Sequence, residues 1–361
     1  MFTRTNLIAL GVVVLATLAF WAYAAGHPND GRDSTGPVLA LDAPLPETVP
    51  SGTTVIIGDP ASQWVIQHNG WDQGLPYTIQ WAQISGGPAV TEAFHAKALD
   101  VGSSANIPPI HAVWVGIPVK TIAVRFRRDP INHPSFVFAV APGSNIRTLA
   151  DLRGRRIAFA AGQVQGEVVL KTLAAEGIPL SAVTLVELPS VGGDLYINAL
   201  VGGEVDAAPI GAGAPSRKYE QKYGAQGGRL IRHSPFRDDL TNLYVRTETV
   251  QDPAKAAALR LYVQLWARAQ AWIETHRDEF ARGYYQGNQG LSADDAAYVV
   301  AAAGETEVPA TWDEAVRLQQ GSINLLAARN GQRRFDSAEL FDRRFEAVAA
   351  RAYAEALGSR R

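Results

Sequence analysis

The 361-residue sequence predicts an α/β protein of two lobes joined by two strand crossovers. Three observations carry this. Short β-branched runs alternate with amphipathic segments through the first two thirds of the chain, the pattern of mostly parallel sheets covered by helices. The alternation occurs twice, and the strand-like stretches "FVFAVAPGS" and "NLYVRTET" separate the two series. From Asp252 to the end the pattern is almost wholly helical. Lobe one is therefore expected at residues 53–140 and 243–361, and lobe two at 141–242. Two crossovers make a hinge. Between the lobes, strand C-terminal ends and helix N-termini converge on a cleft suited to a small ligand.

Residues 1–24 read as an export segment and 25–52 as a linker arm rich in Gly, Pro, Asp and Ser. "TTVIIGD" is the first strand, followed by a helix from Ala61 to Asn69 that Gly70 ends. "YTIQWAQIS" is a strand, and "GGPAVTEAFHAKA" a helix with Pro88 in its first turn, where a missing N–H costs nothing. "LDVGSSA" and "IPPIHAVWVG" repeat the strand–helix unit, and "VKTIAVRFR" and "SFVFAVAPG" are further strands. The middle section continues as helix "TLADLRG", strand "RRIAFAA", helix "GEVVLKTLAAEG", strand "VTLVEL", helix "GGDLYINALVGGE", strand "VDAAPIG" and helix "PSRKYEQKYG". "GGRLIRHS" and "TNLYVRTETV" are the last expected strands.

Composition excludes several classes of function. The net charge of −2 leaves no basic field for nucleic acid. With no cysteine there are no disulfides, thiolate metal sites or thiol nucleophiles. The 7 histidines are scattered without ligand spacing, so no metal site is expected. "AAGQVQGE" is not a phosphate loop, because no Lys-Ser/Thr follows its second glycine. No cofactor is expected. At the N-terminus Arg4 precedes the apolar run "LIALGVVVLATLAFWAYAA", and Ala22-Tyr23-Ala24 has the small-x-small form of a signal-peptidase site, with cleavage before Ala25. The alternative is an uncleaved anchor, with Trp21 and Tyr23 at the bilayer interface.

The loop "FAAGQVQGE" joins a strand to a helix start, where unpaired N–H groups and the helix dipole favour an anion. Glu167 in the first turn is able to use the same donors, and the loop then is only a strand–helix junction.

The ordered phrases "IQWAQISGGPAVTEAFHAKALDVGSSANIPPIHA", "VAPGSNIRTLADLRGRRIAFAAGQVQGEVVLKTLAAEGI" and "ALVGGEVDAAPIG" resemble the periplasmic solute-binding proteins of ABC importers in the nitrate, taurine and aliphatic-sulfonate class. "NGWDQ" fits the end of that family's first helix. The resemblance covers roughly residues 53–350. It implies a type II periplasmic-binding-protein fold, monomeric and located in the periplasm, that closes on a small anion and docks on an inner-membrane permease. It also implies a ligand site built from the loops after the strands: Asp59, Ser62, Gln63 and Trp64; Gly86, Gly87 and Pro88; Ser103, Ser104 and Asn106; Gly162, Gln163 and Gln165; and Gly192, Gly193 and Asp194. Three departures stand out. Many relatives have Asp where Asn106 stands, a Ser-Ser pair where Gln163-Val164 stands, and a Trp-Asp-Pro-like segment where this chain reads "APIGAGAP". Without that acid the cleft suits an anion better than an amino-sulfonate.

Each candidate has a purely structural alternative. Ser103, Ser104 and Asn106 suit helix capping, Asp194 suits capping of "LYINAL", and Trp64 suits packing, while Trp266, Trp272, Tyr284 and Tyr285 of the helical C-terminal part are expected to pack. Arg125, Arg127, Arg128 and His133 form a basic cluster that reads either as a solvated loop or as an oxyanion partner. Some proteins of this fold are enzymes, notably desulfinases with a cysteine nucleophile, which this composition excludes, and pyrimidine-forming enzymes with a histidine-rich site, for which no counterpart is found. A fold-sharing enzyme acting on a sulfur or pyrimidine compound and a membrane-anchored sensor input are the two alternatives.

Overall fold

The computed structural model describes residues 38–189 and 194–358. The export segment and Gly192 and Gly193 lie outside them.

Two sheets organise the chain. The first has the order β11-β4-β10-β3-β1-β2, built from β1 (Thr54–Gly58), β2 (Thr78–Trp81), β3 (Val101–Ala105), β4 (Val119–Arg127), β10 (Thr241–Arg246) and β11 (Thr306–Glu307). The second has the order β7-β6-β8-β5-β9, built from β5 (Phe136–Val140), β6 (Arg156–Phe159), β7 (Thr184–Glu187), β8 (Ala207–Gly211) and β9 (Arg229–Arg232). Within each sheet most strands are parallel; β10 runs antiparallel between β3 and β4, the short edge strand β11 antiparallel to β4, and β5 antiparallel between β8 and β9. The parallel strands read as apolar runs because helices cover both faces; Val55, Ile57, Val101 and Ile157 are fully buried.

Helices follow the strands: α1 (Pro60–His68), α2 (Gly87–His95), α3 (Ile107–Trp114), α4 (Val164–Ala175), α5 (Leu195–Val201) and α6 (Ala214–Tyr223). The C-terminal part supplies α7 (Pro253–Thr275), α8 (Ala293–Ala303), α9 (Asp313–Asn330) and α10 (Glu346–Gly358). Asp59 caps α1 through its side chain, and Pro60 stands in the first turn. Expected helix 148–154 is a single 3₁₀ turn, Leu149–Leu152, closed by a Thr148/Asp151 capping box before Gly154 reverses the chain into β6.

The boundary between the sheets falls earlier than residue 140. The chain leaves the first sheet after Arg127, and the turn at 128–135 carries Phe136–Val140 into pairing with β8 and β9. A strand's pattern marks its buried faces but not its partner, so the apolar β5 read equally well as the end of lobe one. The two crossover segments, 128–135 and 233–240, are laced together by acids. Asp239 Oδ2 accepts from the Arg127 backbone N at 2.5 Å, and Asp238 accepts from the Ser135 and Phe136 backbone N atoms at 2.8 Å each. Arg237 returns to Asp239 and to Glu314. Charge-assisted bonds to backbone make this a defined hinge rather than a pair of loose linkers.

Candidate ligand-binding cleft

Three helix starts meet where the sheets face each other. Gly86, Asn106 and Gln163 hold the N-cap positions of α2, α3 and α4, and none makes a side-chain capping bond. The approach is close: a Cβ added at Gly87 would lie 2.3 Å from Pro108 Cγ and 2.9 Å from Gln163 Oε1. Only glycine lets α2 come this near to both neighbours. Gly166 does the same for α4, where an added Cβ would stand 2.2 Å from the Ala160 carbonyl oxygen at the end of the preceding strand. The first-turn N–H groups of α2 and α4 are thus brought to one place. The third helix contributes less, since Pro108 and Pro109 in its first turn carry no N–H.

These starts open on a groove of about 550 Å³ between the sheets. Gly86, Gly87, Pro88 and Ala105 line one side; Phe136, Gln163, Gln165, Tyr196, Pro209 and Gly211 line the other. No charged side chain is among its described lining residues. A second cavity of about 100 Å³ lies at the C-terminal ends of β1, β3 and β4 and is lined by Asp59, Ser103, Arg125, Gln270, Glu274, Arg277 and Tyr285. Burial raises the Asp59 carboxyl above its ordinary value, against the opposing pull of Ser62, Arg125 and Trp266. Burial likewise raises the Tyr285 hydroxyl, while Arg125, Arg127 and Arg277 pull it down.

The sequence-derived candidates therefore divide. Gly86, Gly87, Pro88, Gln163 and Gln165 share the groove, and Asp59 and Ser103 share the inner cavity. The structure engages the side chains of the others elsewhere. Ser62 is fully buried, donating to Asp59 and accepting from Gln270. Gln63 pairs with Gln67 and Gln83. Trp64 stacks on His68 and packs against Trp272, Phe280 and Tyr284, inside lobe one. Ser104 donates to the Ala105 carbonyl. Asn106 belongs to a buried network: its Nδ2 donates to Glu167 Oε2 at 2.7 Å and to Ser322 Oγ at 3.1 Å, while Gln319 holds its carbonyl. Glu167 thus leaves the start of its own helix uncapped and joins the lobes, with Lys171 as its ion partner. Gly162 lies against His111 in a separate hollow. Asp194 does not cap α5 through its side chain; it pairs with Lys218, which draws it outward.

Residue types and spacing gave no sign of Phe136, Tyr196 or Pro209, because apolar residues at strand and helix starts look like core. The basic cluster is not a solvated loop throughout. Arg125 and Arg127 stand on β4, with Arg125 in the inner cavity and Arg127 donating to the His133 and Pro134 carbonyls. Arg128 is the exposed member, paired with Glu305.

Two α/β lobes, each with an antiparallel return strand inside its sheet, a double crossover and a cleft faced by helix N-termini define the type II periplasmic-binding-protein fold. Comparison with known proteins agrees. Residues 67–218 match the NMT1/THI5-like family model. A curated Escherichia coli K12 protein named "Putative aliphatic sulfonates-binding protein" is 33% identical over 100 residues, which is 28% of this chain and 30% of that protein. The matched part is thus under a third of the relative's length. Among solved structures, the periplasmic aliphatic sulphonate binding protein SsuA from Escherichia coli superimposes with a TM-score of 0.67 at 20% identity, covering 82% of this chain and 99% of that one. The alkanesulfonate-binding protein SsuA from Xanthomonas axonopodis pv. citri, bound to MOPS, gives 0.64 at 20% identity, covering 84% and 98%.

Proposed function

We propose that the protein is an exported solute-binding protein that captures a small monoanion of the sulfonate type between its lobes and delivers it to an ABC permease. The observation that carries this reading is the groove itself: two uncapped helix starts aimed into a space that no described charged side chain lines. Helix N-termini favour an anion, and an apolar wall of Phe136, Tyr196 and Pro209 accepts a hydrocarbon tail better than an ammonium. The relatives named for sulfonate binding support the same class of solute. Hydrogen bonds to a charged group contribute about 1.5–3 kcal/mol each, so a few of them are compatible with a dissociation constant near micromolar, about −8 kcal/mol. Binding and closure, not chemistry, would be the mechanism, since the chain has no thiol for the nucleophilic route.

Thermal unfolding with a panel of alkanesulfonates, nitrate, sulfate and taurine tests the reading. Alkanesulfonates should raise the unfolding temperature and taurine only weakly. No response to any anion would defeat the assignment, as would consumption of a bound ligand that mass spectrometry shows to scale with protein concentration.

A further inference from the structure

We infer that the charged end of the solute lies in the inner cavity against the Arg125 guanidinium, with the tail running past Ala105 into the outer groove. The inference rests on the solute-binding reading, but it makes Arg125, in place of the helix starts of the outer groove, the group that holds the charge, and leaves that groove to the tail.

Arg125 is singular among the arginines around it. Arg127 is spent on the His133 and Pro134 carbonyls, Arg237 on Asp239 and Glu314, and Arg277 on Glu274 and the Gly304 and Val300 carbonyls. Arg125 makes no hydrogen bond and no ion pair with any described residue, although β4 leaves it only partly exposed. The acids of the cavity do not answer it at contact distance. Both Asp59 oxygens are turned to Ser62, and Glu274 is held by Arg277 and by the Thr306 backbone N. A guanidinium partly removed from water and left unpaired is a planar fork of donors awaiting an oxyanion.

Its surroundings complete a site. Ser103 and Tyr285 line the same cavity, and no hydrogen bond ties their hydroxyls to a described residue. Tyr285 is delivered there by a π-helical stretch, Ala281–Asn288, a geometry that recurs at functional sites. A cavity of about 100 Å³ has room for an oxyanion head. The remainder has an exit. Ser103 and Ala105 are two residues apart on one face of β3, about 7 Å, and Ala105 already lines the outer groove. The Asp59 carboxyl in the same cavity selects against a second negative charge, so a monoanion is preferred to sulfate.

Calorimetry with butane-1-sulfonate and with sulfate decides the matter on the wild type, Arg125→Gln, Tyr285→Phe and the double variant Gln163→Leu/Gln165→Leu. The wild type should bind butane-1-sulfonate and prefer it to sulfate. Arg125→Gln should weaken it about 30-fold or more, and Tyr285→Phe about 5-fold. The ligand-free unfolding temperature of Arg125→Gln should fall only slightly, because Arg125 makes no hydrogen bond or ion pair with a described residue and acts in the fold through its longer-range attraction for the Asp59 carboxylate. Binding within threefold of wild type by Arg125→Gln, with loss in the glutamine double variant, would place the charge in the outer groove and overturn the inference while leaving the solute-binding reading intact. No binding by the wild type would remove both. A bromide-soaked crystal gives an independent reading: anomalous density within about 4 Å of the Arg125 guanidinium is expected, and its absence there while present at Gly87 would refute the site.

Discussion

Asparagine at position 106 is explained by its partner, and the explanation makes a quantitative prediction. Asn106 and Glu167 come from different lobes, and Glu167 is only 2% exposed. Asn106→Asp conserves size and turns the donor that faces the Glu167 carboxylate at 2.7 Å into an acceptor. Two unit charges about 3 Å apart repel by about 5 kcal/mol at an effective dielectric of about 20. The alternative is that one carboxyl of the pair takes up a proton. For a group of ordinary pKa near 4, this costs about 1.4 kcal/mol per pH unit, or about 4 kcal/mol at pH 7. The cheaper route prevails. Lys171 Nζ, 2.8 Å from Glu167 Oε1, offsets part of the cost. The variant should therefore lose about 2–4 kcal/mol at pH 7 and less than about 1.5 kcal/mol at pH 5. The direction follows from linkage: the pair's folded pKa lies above the unfolded one, so stability is present below pH 4 and drains away as pH rises. Urea unfolding at pH 5, 6 and 7 measures this. Asn106→Ala serves as the control, since it loses the hydrogen bond without adding a second carboxylate. If Asn106→Asp stays within about 0.5 kcal/mol of wild type at pH 7, or its cost does not shrink on acidification, the bridge between the lobes is not as described.

Asp59→Asn preserves the cap on α1 while removing a buried acid whose pKa burial has raised. Because that carboxyl's contribution to stability is lost as pH rises through its folded pKa, the variant should gain on wild type between pH 4 and pH 8 in urea titrations, and should bind butane-1-sulfonate more tightly at neutral pH. Gly87→Val places side-chain carbons where Pro108 and Gln163 already stand, and overpacking of this kind costs about 1–3 kcal/mol; calorimetric unfolding should show the loss, together with weakened anion binding. Export is tested by N-terminal sequencing of the periplasmic fraction, where the mature chain should begin at Ala25; a full-length chain found only in membranes would favour the anchor.

The alternation of strand and helix, the punctuating glycines and prolines and the missing cysteines were legible in sequence because each acts locally. Pro88 marks a helix start, Gly70 a helix end, and the apolar run at 54–58 a buried parallel strand, whatever surrounds them. These settled the two-lobed α/β class, the exclusion of thiol chemistry, and the family of phrases that points to a solute-binding protein. Pairing and facing are different in kind, because they depend on residues far apart in the chain. Only the tertiary structure assigned β5 to the second sheet, turned Glu167 from a would-be cap into a bridge 61 positions from Asn106, and sent Trp64 inward among Trp272, Phe280 and Tyr284. It also separated Arg125 from the neighbours with which the sequence grouped it. On a strand, alternate side chains leave in opposite directions, and which of them meets a carbonyl, a carboxylate or an empty cavity is decided by the segments that the fold lays alongside.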